Sequence, residues 1–224
     1  MATTSQTPLA DPLADQDRAA ALFERLKANR QLALGGLIAV ALVVLIAWFM
    51  IESGRRKEIA AMAILETAWS LQDQGESAQA ATEFQRLIDN FSGTDAALQA
   101  ALALNQVRLE IGQAQLAVDG LREFLGRNPP SEAAASAHRL LGAALEDTGQ
   151  PAEAAAAYEQ AAALAGADHL TAAALLAAAR AWRAAGNTEA ATAALRRIVD
   201  EFKETAAVSE ATVRLAELTK GAMD

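Results

Sequence analysis

Two histidines and no cysteine leave little material for catalysis or metal binding in this chain of 224 residues. Without a thiol there is neither a disulfide framework nor thiolate chemistry. His138 falls where a helix pair would close on itself and reads as a packed side chain, and His169 stands far from it in the chain. The sequence holds no HExxH, no glycine-rich phosphate loop and no GxSxG turn, the patterns that place a base, a phosphate cradle or a nucleophile. Adjacent acids such as Glu146-Asp147 and Asp200-Glu201 sit at expected helix ends and read as solvated charge. No catalytic activity, cofactor or metal is expected.

The elements come from periodicity. Gly75, Gly112, Gly149 and Gly186 recur every 37 residues, followed at five residues by Ala80, Ala117, Ala154 and Ala191. Four residues further on stand Phe84, Leu121, Tyr158 and Leu195. A second series, Thr94, Ser131, Asp168 and Thr205, has the same period and consists of helix N-cap residue types. A repeat of this length signals a solenoid of stacked helix pairs. Each glycine closes a first helix in the left-handed conformation, and each alanine begins the contact face of the second. Pro151 suits the start of a helix, and Asn128-Pro129-Pro130 the end of one. The expected fold is therefore all-α, with about four pairs, at 57–73 and 77–90, 95–110 and 114–126, 132–147 and 151–164, 169–184 and 188–202. A last helix at 206–219 would cap the stack.

Ahead of the repeats, Leu32 to Ile51 carries no charge. At 1.5 Å per residue such a run spans about 30 Å, a bilayer's hydrocarbon thickness. Residues 31–51 are read as an uncleaved transmembrane helix contacting the lipid bilayer, because no A-x-A-like cleavage site follows it. Residues 1–16 read as a disordered tail, 17–30 as a juxtamembrane amphipathic helix, 52–60 as a helical stalk and 57–224 as the repeat domain. Arg18, Arg25, Lys27 and Arg30 precede the span and Arg55, Arg56 and Lys57 follow it, close to a tie for orientation. Gly35 and Ala39 form a small-xxx-small pair, which leaves a self-associating homo-oligomer or structural scaffold as an alternative reading. The net charge of −9 belongs to the segment after residue 51, which argues against nucleic acid as a partner.

In a stacked array the first helices line the concave side. Counting back from each glycine, positions 2, 5, 9 and 12 share that face. They are Met62, Leu65, Trp69 and Gln72, then Gln99, Leu102, Gln106 and Leu109. The third and fourth repeats supply Ser136, Arg139, Ala143 and Glu146, then Ala173, Leu176, Arg180 and Arg183. This candidate groove for protein partners is apolar beside Trp69 and basic toward Arg183; the alternative is that several of these residues are packed against neighbouring helices.

The third repeat, with Leu141-Gly142, Gly149, Ala154, Tyr158 and Ala161 in order, resembles the tetratricopeptide repeat. That resemblance implies a right-handed helical solenoid that binds proteins. Position 9 holds Trp69, Gln106, Ala143 and Arg180. This departs from the asparagine pattern of repeats that clamp carboxylate tails, so such tails are not the expected ligand. The layout of a short tail, the pre-helix LFERLKANRQLAL, one span and alanine-rich repeats resembles the YfgM-like family. The resemblance implies an ancillary subunit of the bacterial SecYEG translocon, with a cytoplasmic N-terminus and periplasmic repeats, acting on translocon subunits or exported proteins. Repeats of this spacing also resemble envelope-assembly proteins of the Tol-Pal or outer-membrane machinery type, though no lipobox cysteine is present.

Overall fold

The computed structural model describes residues 30–220. The tail expected at 1–16 and the helix expected at 17–30, its last residue apart, lie outside the described residues. Among the described residues there are nine α-helices and no strand. They are α1 (Arg30–Asp73), α2 (Ser77–Asn90), α3 (Asp95–Glu110), α4 (Ala114–Gly126), α5 (Ser131–Asp147), α6 (Pro151–Leu164), α7 (Asp168–Ala184), α8 (Thr188–Glu201) and α9 (Ala207–Lys220). The chain divides into two compact units, Met1–Arg55 and Arg56–Asp224.

In the first unit the described side chains from Leu34 to Ile51 are all exposed. Leucine, valine and isoleucine here are each more than half exposed, and Trp48 and Phe49 are equally open. This segment lies in a helix long and apolar enough to cross a membrane, with a mean hydropathy of 2.8 over its most apolar window. The expected stalk, 52–60, belongs to the same helix, α1, as the first repeat.

In the second unit the turn closing each first helix is built the same way four times. Gly75, Gly112, Gly149 and Gly186 have φ of 80°, 76°, 75° and 77°. At Gly149 the glycine N–H donates to Glu146 O and the next N–H, of Gln150, donates to Leu145 O. The same pair of bonds recurs at the other three turns. This is the Schellman arrangement, which satisfies helix-end carbonyls and needs a left-handed residue. An alanine there bears a Cβ too close to its carbonyl. Gly149→Ala is expected to cost about 1 kcal/mol, measured as a lower urea midpoint with an unchanged m-value.

Helix starts follow less uniformly. Thr94 caps α3, its side chain accepting from Ala97 N–H. Ser131 and Asp168 are instead the first residues of α5 and α7, behind Pro130 and Ala167, and make no side-chain cap. Thr205 lies ahead of α9 and donates its hydroxyl to Phe202 O. At α3 a second acceptor arrives from the preceding repeat, because Glu58 accepts from both Asp95 and Ala96 N–H. A carboxylate so placed satisfies two orphan donors and complements the helix dipole.

The core forms three clusters along the array. The first unites α1, α2 and α3 around Leu65, Phe84, Leu87 and Val107. The second runs from α4 to α7 around Val118, Leu121, Leu145 and Tyr158, and the third from α6 to α9 around Leu175, Leu195 and Ile198. Ala80, Ala117, Ala154 and Ala191 are fully buried, as befits a position where a larger side chain would separate the pair. α9 closes the stack through Ala211.

Candidate partner-binding groove

Each first helix packs against the second helix of its pair, which leaves its other side as the candidate face. On α1, Met62 and Trp69 are exposed, 49% and 40%, and Ile59 is exposed one turn before them. Trp69 is not free: its ring meets Phe84 edge-on, with centroids 5.2 Å apart, so the indole is fixed with one side open. Leu65 differs from the expectation. It is 5% exposed and packs in the core with Ala80 and Phe84, because its position on α1 turns toward α2. Along the remaining repeats Gln99, Gln106, Arg139, Ala173, Arg180 and Arg183 are exposed, and Leu102 and Leu176 are half-buried.

Successive first helices are joined by side-chain hydrogen bonds at two of the three junctions. Gln72 donates its amide to Glu110, bridging repeats one and two, and Gln106 donates to the same carboxylate from one turn away on its own helix. Gln72 Oε1 is enclosed there with no hydrogen-bond partner among the described residues. Leu109 is half-buried against the cluster that runs from α4 to α7, and Ala143 is half-buried as well. Between repeats three and four Arg180 donates to both oxygens of Glu146, at 2.9 and 3.2 Å, and the Tyr158 hydroxyl donates to the same carboxylate at 2.7 Å. Glu146, read from sequence as solvated helix-end charge, is thus a half-buried hub tying three helices. Arg180 is correspondingly neutralised, so the basic character expected at this end rests on Arg139 and Arg183, which form no ion pair among the described residues.

The protonation states follow. Burial raises the Glu146 pKa, but hydrogen bonds from Arg180 and Tyr158 and the Arg180 charge outweigh it, and the net shift is downward. Arg180 is pushed up, first by its hydrogen bond to Glu146. The Tyr158 hydroxyl is pushed up by burial and by the carboxylate it serves, so it remains a donor. A carboxyl depressed by folding stabilises the protein above its ordinary value, 4.5, and that contribution is lost as pH falls through the folded pKa. Glu146→Gln is therefore expected to be less stable than wild type at neutral pH, with the gap closing below about pH 4.5. Urea midpoints measured across that range check it.

His138 is half-buried, its Nδ1 enclosed with no partner among the described residues, and burial lowers its pKa, so the ring stays neutral at neutral pH. Among the described residues no three histidine, aspartate or glutamate side chains converge to hold a metal.

The tetratricopeptide repeat model matches residues 62–94 and 173–205, equivalent stretches of the first and fourth pairs. The fold is that of tetratricopeptide repeats. The nearly identical TPR-like repeats of a Podosopora anserina kinesin light chain superpose with a TM-score of 0.58 at 21% identity, covering 71% of this chain and 85% of that one. PilW, a widely conserved type IV pilus biogenesis factor, gives 0.56 at 19% identity, over 67% and 66% of the two chains. MamA from Desulfovibrio magneticus RS-1 gives 0.53 at 17%, over 64% and 76%. No curated protein matches in sequence. The shared property is the fold: tetratricopeptide solenoids hold other proteins against a helical surface, and this solenoid is a scaffold of that kind.

Proposed function

We propose that this chain is a membrane-anchored scaffold that binds exported or translocon-associated proteins through the face of its first helices. The observation that carries the reading is the exposed strip Ile59, Met62 and Trp69 on α1, with Trp69 pinned against Phe84. An aromatic side chain held rigidly and left open is the type of group that anchors a partner. Gln99 and Gln106, exposed on α3, offer amide groups to an extended backbone, and Arg139 and Arg183 offer charge to acidic groups. The uncovered apolar run from Leu34 to Ile51 supports an anchor in the bilayer, and the YfgM-like layout supports repeats on the periplasmic side of a bacterial inner membrane.

A photoreactive residue in place of Met62 in intact bacterial cells is expected to capture translocon subunits or proteins in export. Recovery of neither, with the protein stably expressed, would sink the translocon reading. Topology has its own test, because the chain has no cysteine. A single Ala193→Cys, on the exposed side of α8, is expected to react with a maleimide that cannot cross the inner membrane. Labelling only after lysis would place the repeats on the other side.

A further inference from the structure

A cleft lies away from the first-helix face, with α3 as its floor and α2 and α4 as its walls. Cavities of about 640, 110 and 300 Å³ adjoin one another there. The first two share Gln85, Asp89, Leu104 and Arg108. The second and third share Ile88, Ala101, Phe124 and Arg127. The cleft thus runs from Ile111 and Leu116 at one end to Ala97 and Pro130 at the other. Along α3 that is about 20 Å at 1.5 Å per residue, room for about six extended residues at 3.3 Å each.

The middle of this cleft is built around one cation. Arg108 donates to Asn105 Oδ1 at 3.1 Å, to Leu116 O at 3.3 Å and to Gln85 Oε1 at 3.3 Å, all neutral oxygens. Asn105 is 3% exposed and anchored through its amide to Ala101 O. Gly120 on the opposite wall makes room for both: an added Cβ would meet Asn105 Oδ1 and Arg108 Nη1. The other cations lining the cleft are matched, Arg86 with Glu83 and Arg127 with Glu123. Arg108 enters no ion pair among the described residues. Burial lowers its pKa against the pull of Glu123, so its charge is held at a cost. Asp89 stands at the exposed rim and accepts from Gln85 Nε2, with that amide between it and Arg108. Apolar surface flanks the cation on both sides, with Leu116 left 51% exposed at one end and Phe124 beside Pro129 and Pro130 at the other.

We propose that this cleft docks a segment of another protein in which a glutamate, seated on Arg108, is flanked by leucine- or phenylalanine-type side chains. The carboxylate supplies the bidentate partner that a guanidinium accepts and that Arg108 lacks. The flanking side chains cover Leu116 and fill the Phe124 pocket.

The test uses full-length protein in detergent and two fluorescein-labelled peptides, Leu-Ala-Leu-Glu-Leu-Ala-Phe and its glutamine counterpart, read by anisotropy. The glutamate peptide is expected to bind at least about tenfold tighter. Arg108→Met, checked for unchanged helicity, should erase that preference. Leu116→Glu, at an exposed position that leaves the core intact, should weaken the glutamate peptide about tenfold by putting a competing carboxylate in the cleft. Asp89→Asn should keep or tighten binding, and Arg139→Gln, on the first-helix face, should leave it unchanged. Equal affinity for the two peptides, binding of neither, a preference surviving Arg108→Met, or a loss on Asp89→Asn would each overturn the proposal.

Discussion

Replacing Phe84 by alanine is expected to destabilise the repeat domain by about 3–5 kcal/mol, the range for deleting a large buried aromatic ring. Phe84 is fully buried at the centre of the cluster formed by α1, α2 and α3. Its loss removes the contact surface of Leu65 and Leu87 and leaves a cavity that helices fixed at both ends collapse around only in part. The effect should be local before it is global, because a solenoid's stability is a sum of repeat and neighbour terms. Residues of α7, α8 and α9 pack in a separate cluster around Leu195 and Ile198. Amide exchange is therefore expected to accelerate in α1, α2 and α3 while α7 and α8 keep their protection. Trp69 reports the same event, since its only ring contact among the described residues is with Phe84. A uniform loss of protection along the array would contradict the modular packing.

Gly142→Ala should cost about 2 kcal/mol, although alanine is ordinarily the better helix residue by about 1 kcal/mol. An added Cβ would lie 2.6 Å from Tyr158 Cε1 and 2.7 Å from Cζ. The ring has little freedom to retreat, because its hydroxyl is bonded to Glu146, which is in turn held by Arg180. Giving way at Gly142 thus loosens the rung that joins repeats three and four. The fourth repeat supplies a natural control: Ala179 and Leu195 occupy the equivalent positions and pack in one cluster. In a Tyr158→Leu background, alanine at 142 is accordingly expected to become neutral or stabilising. A double-mutant cycle in urea measures the coupling, and a coupling near zero would remove the close approach as the reason for glycine.

Much of the helical layout was legible because its causes are local. A left-handed turn demands glycine, a tight pair demands alanine five residues later, and both recur at a fixed period. The helix starts were less legible: serine and aspartate at 131 and 168 have the right chemistry for a cap, but Pro130 and Ala167 take the capping positions. On the candidate groove, counting from the glycine placed Met62 and Trp69 on an open face. It could not tell that Leu65 turns inward, since one residue's step of 100° decides which side of a helix edge it occupies. The cleft around Arg108 went unread, because the sequence shows Asn105, Arg108 and Gly120 as unrelated departures from the repeat pattern.

By itself, then, the sequence determined an uncharged run able to span a bilayer and a chain of helix pairs of fixed length, since hydropathy and turn chemistry act over a few neighbouring residues. Only the tertiary structure decided which charges are spent. Glu146 and Arg180, 34 residues apart, neutralise each other across two repeats, while Arg108 is left among neutral oxygens. Partners so far apart in the chain meet only when the repeats stack, and the stacking angle, not the spacing, chooses them.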